Sequence, residues 1–366
     1  MKIYRLFILE KAIFKFCDKD TIVKNRKKHY NKIKVIEGWR DEMSNVTLKD
    51  IAKLANISPA AVSIILNDKP SRISETKKQE VKKIAKELNY RPNKIARSLL
   101  GTPTKTIGVL IPDIENPFFS RLVRIIEREM SIKGYSILIA NSNDIFKNDI
   151  NHINEFLERQ VDGIIICVAN ETYLHLQEFR DFIMTIDSSI VFVDRFVTGV
   201  SKGQVVSDNR LGGFLATSLL LKKGIKEISI VTGKKTSFIS NERLKGVKDA
   251  LEDSNKEIKV NYFEGDFHYE SGMQIGMETD ILKEDSGIFC FNDLMAYGIL
   301  SASKIKKISN FQIIGYDNLR YAEMFGVQLL SVNQNINQLA EEAVKMLQRT
   351  IEEGDYTETI YLKPYL

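Results

Sequence analysis

The residues able to do chemistry are few and poorly placed for catalysis. Four histidines, His29, His152, His175 and His268, lie far apart, and three cysteines, Cys17, Cys167 and Cys290, form no CxxC pair and have no histidine at metal-ligand spacing. The cysteines read as isolated thiols in a reduced cytoplasm. VTGKKTS at 231–237 is superficially like a phosphate loop but lacks its first glycine and the GK[ST] ending, and neither GxGxxG nor GxSxG occurs. No catalytic residue, metal or cofactor is expected, so the chain does not read as an enzyme. What it does offer is a series of polar and aromatic clusters, PDIENPFFSRL, FVDRF, NERLKGV, FNDLMAYG, IIGYDN and SVNQN. Each has a plain structural reading: Phe118 and Phe119 as helix-start core, Asp194 with Arg195 as an ion pair, Asn292 with Asp293 as a cap, Asp317 as a turn residue.

Almost all of these clusters fall just past an apolar run, which says what must position them. Runs at 107–112 (IGVLIP), 136–140 (SILIA), 163–167 (GIIIC) and 190–193 (IVFV) are separated by helical stretches, among them 119–133 and 148–159. A second series follows at 228–233 (ISIVTG), 258–263 (IKVNYF), 287–291 (GIFCF) and 311–316 (FQIIGY). Near-continuous apolar strands alternating with helices predict doubly wound parallel sheets covered on both faces. Two such sheets make a two-lobed α/β core, with a ligand cleft at the carboxyl ends of the strands.

The chain has 366 residues, 43% hydrophobic and 28% charged, enough for two or three soluble domains and for no run that spans a membrane. Glu10 and Lys11 interrupt the first apolar stretch before an export signal could form. Charge is unevenly spread. Residues 1–42 carry 12 basic and 6 acidic residues, 43–104 carry 12 and 5, and the remainder carries 29 and 37. A basic front on an acidic body fits a chain that touches a polyanion with one end. Residues 1–42 lack a sustained period and read as a non-domain extension or a start assigned too early, with Met43 the expected start.

Residues 43–90 read as an all-α helix-turn-helix unit. Thr47 caps LKDIAKLA, whose Leu48, Ile51, Ala52 and Ala55 share a face; Ser58 caps a second helix from Pro59 to Leu66, expected to bury Val62 and Leu66 and to present Ala60, Ala61, Ser63 and Ile64. A third helix from Ser74 buries Val81, Ile84, Ala85 and Leu88. The tight turn places the second helix to enter a major groove.

VTLKDIAKLANIS, AVSIILN and ISETKKQEVKKIAKELNYRPNKIARSLL together resemble the headpiece of the LacI family of transcriptional repressors. The resemblance implies a hinge helix and linker over 91–104, with Leu99 wedging into the minor groove beside Asn93, Ala96, Arg97 and Ser98, and a homodimer on a near-palindromic operator. It places Pro59, Ala60 and Ile64 at base-reading positions, where Ile64 replaces a frequent arginine and so favours thymine methyls over guanine. Thr47, Lys49, Ser58, Ser63 and Asn67 fall to phosphate anchoring.

Residues 105–366 are similar to the core that this family shares with the periplasmic pentose-binding proteins. The resemblance implies an N-lobe of 105–206 and 335–353 and a C-lobe of 207–334 and 354–366. It implies a sugar shell of Phe118, Phe119 and Phe267 for stacking, Asn116, Asn292 and Gln334 as amides, Asp194 and Asp317 as acceptors, and Arg195 and Arg243 as donors. Aromatic faces meet sugar C–H groups, while amides, carboxylates and arginines meet hydroxyls. The expected protein is a cytoplasmic repressor answering to ribose or a similar pentose. The alternatives are a catabolite-control regulator that answers to a partner protein, or a soluble sugar-binding protein for transport.

Overall fold

Asp50 closes the first turn of the helix that starts at Leu48 by accepting from both the N–H (2.9 Å) and the hydroxyl (2.6 Å) of Thr47. The computed structural model describes residues 46–90, 103–324, 326–354 and 356–366; the 1–42 segment and the hinge positions Asn93, Ala96, Arg97, Ser98 and Leu99 lie outside the described residues. The chain divides after Asn93 into two units. In the first, α1 (Leu48–Ala55) ends where Asn56 turns left-handed, φ 51°. Ser58 Oγ accepts from the Ala61 N–H (3.2 Å) to start α2 (Pro59–Leu66), with Pro59 where no N–H is needed, and α3 (Glu75–Glu87) follows. Ile51, Ala52, Ala55, Val62, Ile65, Val81, Ile84, Ala85 and Leu88 form its core. Here Ile65, not Leu66, partners Val62: on so short a helix the i, i+3 pair points at α1 and α3, and Leu66 packs half-buried at the rim.

The second unit has two parallel sheets. Strands β1 (Thr106–Ile111), β2 (Ser136–Asn141), β3 (Gly163–Ile166), β4 (Ile190–Asp194) and β5 (Gly203–Ser207) belong to one lobe, and β6 (Glu227–Thr232), β7 (Lys259–Glu264), β8 (Ser286–Cys290), β9 (Phe311–Tyr316) and β10 (Leu330–Val332) to the other. The last strand, β11 (Thr359–Leu362), pairs with β5, giving orders β11-β5-β4-β3-β1-β2 and β10-β9-β8-β6-β7. This corrects the expectation that 354–366 belongs to the C-lobe. The apolar side of β11 completes the first sheet, where Leu362 joins the N-lobe core. The connector also departs from a free linker: the N–H groups of Thr104 and Lys105 and the Thr104 hydroxyl all donate to the Asp162 carboxylate, at 2.8–2.9 Å.

Helices α4 (Pro117–Ile132), α5 (Phe146–Glu158), α6 (Leu176–Met184), α7 (Asn209–Lys222), α8 (Phe238–Asp253), α9 (Tyr269–Glu278), α10 (Asp293–Lys306), α11 (Tyr321–Met324) and α12 (Ile336–Glu353) connect these strands. The chain passes between lobes at 207–209 and again at 333–335, after which α12 lies in the N-lobe core with α4. At the second passage Asn333 and Tyr365 exchange two backbone hydrogen bonds, 2.7 and 3.1 Å. No helix among the described residues is long and apolar enough to cross a membrane.

Two packing features set the ends of the C-lobe strands. Helices α7 and α8 touch backbone to backbone: a Cβ on Gly213 would sit 2.1 Å from the Arg243 carbonyl oxygen, and one on Gly246 would sit 1.8 Å from that of Arg210. Asp293, fully buried, accepts from the Leu319 N–H (2.7 Å) and the Ser331 hydroxyl (2.6 Å), tying α10 to the segments after β9 and within β10. Burial pushes its carboxyl up to about 7, against the pull of these donors and of Arg243.

Gly246→Ala is expected to cost about 1–3 kcal/mol by forcing the helices apart; chemical denaturation against wild type measures it, and an unchanged midpoint refutes the close approach. A carboxyl whose folded pKa is raised stabilises below its unfolded pKa and loses that contribution as pH rises through the folded one. The stability of wild type relative to Asp293→Asn should therefore fall between about pH 4 and pH 7, by on the order of a few kcal/mol. A pH-independent difference between the two melting profiles would exclude this.

Candidate functional site

The carboxyl ends of the strands converge on a cavity of about 290 Å³ between the two sheets of the core. All ten side chains expected there line it: Asn116, Phe118, Phe119, Asp194 and Arg195 from the N-lobe, and Arg243, Phe267, Asn292, Asp317 and Gln334 from the C-lobe side and second passage. Three of them leave their strands or loops with positive φ: Asp194 (68°), Phe267 (72°) and Asp317 (104°). Non-glycine residues rarely adopt this conformation, and it concentrates at binding sites held by their surroundings. At Asp194 the Arg195 N–H donates back to the Val193 carbonyl at 2.8 Å, a γ-turn that swings consecutive acid and base side chains off the end of β4.

Each guanidinium is anchored in its own lobe. Arg195 Nη1 donates to Asp144 Oδ1 (2.8 Å) and to the Val168 carbonyl (2.7 Å), and its plane lies 5.5 Å from the Phe119 ring centroid. Arg243 Nε donates to Asn209 Oδ1 (2.8 Å), Nη1 donates to the Phe291 carbonyl, and the guanidinium sits 3.5 Å above the Tyr316 ring. The amides are partly engaged. Asn116 Oδ1 accepts from the Phe118 N–H (3.0 Å), while Asn292 accepts from the Met295 N–H (3.0 Å) and donates to the Phe267 carbonyl (2.6 Å). The capping role and the cavity-lining position thus coexist. Phe118 and Phe119 likewise serve twice, packed in the N-lobe core at 3% and 6% exposure while their edges reach the cavity.

Gln334 Nε2 donates to Asp317 Oδ1 (2.7 Å). Gln334 Oε1, Asp194 Oδ1, Arg195 Nε and Asn170 Oδ1 are buried polar atoms without a hydrogen-bond partner, and all four residues line the cavity. Such atoms are costly unless something pairs with them. Burial raises the Asp194 carboxyl despite Arg195 and Arg243, and raises that of Asp317 further against Arg243. Asp144 is also pushed up by burial, but its contacts with Arg195 and Asn170 outweigh that and hold it low. Among the lining residues, Asp144 is thus held low by its partners while burial raises Asp194 and Asp317, and the guanidiniums of Arg195 and Arg243 stand beside them.

Asp144, Asn170, Ser237 and His268 line the same cavity and were not foreseen. Asp144 lies just past β2 as Asp194 ends β4, so the rule of polar residues at the carboxyl ends of strands could have found it. His268 lies at the edge, 3.7 Å from Asp113 and 3.3 Å from Asp266.

In the first unit, Pro59 and Ala60 are exposed at the start of α2 and Ile64 is half-buried on it. Ser58, also exposed, leaves its O–H free to donate while its oxygen caps the helix. Lys49 is exposed, whereas Asn67 turns back on its own helix, donating to the Ser63 carbonyl at 2.7 Å. Thr47 is held by Asp50 as described. Among the described residues no group of three or more His, Cys, Asp or Glu could hold a metal, and Cys167 and Cys290 are free and buried.

Residues 107–355 match the periplasmic binding protein domain, and residues 47–93 match the bacterial regulatory proteins of the lacI family. The HTH-type transcriptional repressor PurR of Actinobacillus pleuropneumoniae serotype 3 (strain JL03) is 30% identical over 82% of this chain and 90% of its own length. The lac repressor dimer bound to operator and the anti-inducer ONPF superposes with a TM-score of 0.76 at 22% identity, over 88% of this chain and 97% of that one. A periplasmic binding protein/LacI transcriptional regulator from Alkaliphilus metalliredigens QYMF, complexed with D-xylulofuranose, has a TM-score of 0.60 at 27% identity, over 71% of this chain and 96% of that one. A helix-turn-helix unit, followed by a two-sheet core with a polar cleft and these relatives along most of its length, places the chain in the LacI family of DNA-binding transcriptional regulators.

Proposed function

We propose that this regulator is a dimeric, cytoplasmic repressor whose grip on a near-palindromic operator is tuned by ribose or a closely similar pentose in the core cleft. The observation that carries the effector reading is the concentration in one cavity of two buried guanidiniums and two buried carboxyls, with unpartnered polar atoms on Arg195, Asp194, Gln334 and Asn170, bounded by Phe118, Phe119 and Phe267. Hydroxyls both donate and accept, so a small polyol can pair with every one of these atoms, while its C–H face covers the rings. The relative complexed with D-xylulofuranose supports the same class. The relatives named PurR favour a second reading, a purine effector.

For operator binding, α2 enters the major groove with Pro59, Ala60 and Ile64 toward base edges, and Thr47, Lys49, Ser58, Ser63 and Asn67 toward phosphates. Asn93, Ala96, Arg97, Ser98 and Leu99 act at the minor groove, the leucine as a wedge from each subunit. Sugar and operator communicate through linkage: an effector that prefers one lobe arrangement shifts the population of the DNA-competent state.

Calorimetric titration with pentoses, hexoses and purine bases tests the effector. A pentose should bind, and Arg243→Ala or Asp317→Ala should each weaken it by about 2 kcal/mol, roughly 30-fold, with operator affinity retained. Binding of a purine base with no response to pentoses rejects the sugar. Lys49→Ala should lower affinity for all DNA sequences alike and reduce the salt slope by about one ion. An unchanged slope removes Lys49 from the phosphate contacts.

A further inference from the structure

Beside the first passage between lobes lies a second cavity of about 260 Å³. One wall is aromatic. Phe196 has its ring centroid 6.3 Å from that of Phe238 and 6.2 Å from that of Tyr361, with the planes tilted by 38° and 36°. Phe196 and Tyr361 belong to the N-lobe, whereas Phe238, one residue into α8, comes from the C-lobe and also stacks on the N-lobe's Tyr173 at 5.1 Å. The polar residues of the cavity supply mainly acceptors. Arg210 is committed to Asp249 by two hydrogen bonds of 2.5 and 2.8 Å. Asp208 spends one oxygen on the Leu211 N–H (2.9 Å) and Glu242 one on Lys245 (2.6 Å).

Two further groups point to a ligand. Ser207 is 4% exposed, lines the cavity, and its Oγ has no hydrogen-bond partner. Asp194 is 1% exposed, lines this cavity and the main cleft alike, and its Oδ1 is also unpartnered. Phe196 lies between the other two rings, within the range of ordinary aromatic pairs to each, so the three form a wall and not a cage spaced to enclose an ammonium ion. A wall of this kind opposite hydrogen-bond acceptors and a hydroxyl suits a neutral polyhydroxylated ring, its C–H face on the aromatics and its hydroxyls donating to the carboxylates.

We infer that this cavity is a second carbohydrate-ring subsite, sharing Asp194 with the main cleft and touching both lobes. It rests on the reading of the main cleft as a sugar site. The ring is either a substituent of the sugar in the main cleft or a separate molecule. Because its walls come from both lobes, its occupant favours one lobe arrangement, and so acts on the same equilibrium as the first sugar.

The test is calorimetric titration of the full chain with ribose, xylose and xylobiose, using wild type, Tyr361→Ala, Glu242→Gln and Arg243→Ala. Tyr361 is 59% exposed, so its truncation leaves the fold in place, and Glu242→Gln is a second, milder probe. A separate second molecule gives two pentose sites per chain, reduced to one by Tyr361→Ala. A linked ring gives xylobiose at least about tenfold tighter than xylose, an advantage that Tyr361→Ala and Glu242→Gln remove while xylose affinity stays within about twofold. One site for every sugar, weakened by Arg243→Ala and indifferent to the other two variants, overturns the second subsite alone. Absence of binding by any sugar overturns both readings.

Discussion

Two buried guanidiniums facing one cavity constrain the core more than any other feature. A charge taken out of water costs several kcal/mol unless it is paired and hydrogen-bonded, so Arg195 and Arg243 must each be met by partners that the fold supplies. Arg195 finds Asp144 and the Val168 carbonyl, and Arg243 finds Asn209, the Phe291 carbonyl and the face of Tyr316. Those partners come from strand ends and helix starts within the same lobe. Each cation is therefore fixed before the lobes meet, and the cavity is polar and organised in advance. Preorganised donors let a small ligand bind without first ordering its site.

The supporting architecture follows from that need. Arg243 reaches its place because α7 and α8 approach at Gly213 and Gly246 with nothing between their backbones. Arg195 and Asp194 diverge from adjacent positions because the chain makes a γ-turn where β4 stops. Asp293 ties the start of α10 to Leu319 and Ser331, which holds the neighbouring Asn292 and the Asp317 turn in register.

Much of this was legible in the sequence. The eight apolar runs are strands, because a parallel strand announces itself by composition and its end by the change to polar residues, whereas the ten cleft residues came from the family resemblance. The strands that escaped notice are short or mixed: GQVVS at β5, three residues at β10, and TIYL at β11. Pairing of β11 with β5 joins segments about 150 residues apart, a fact no local pattern carries. Burial of Leu66 was expected where Ile65 is buried, because Ile64-Ile65-Leu66 is a continuous apolar run and only the neighbours α1 and α3 choose among its members. Asp144 was overlooked because it sits in a turn of Asn141-Ser-Asn-Asp144 that reads as loop. Its place just past β2 was a usable signal, but the partner it serves, Arg195 at 2.8 Å, comes from a segment about 50 residues away.

The bridge between Asn333 and Tyr365 has a mechanical consequence. Tyr365 lies along the second passage through two backbone bonds, reinforced by the Asn333 side-chain amide donating to the Tyr365 hydroxyl at 2.9 Å. The second passage is therefore a paired stretch of backbone tied to the segment that follows β11, so any change in the angle between the two sheets has to carry both segments together.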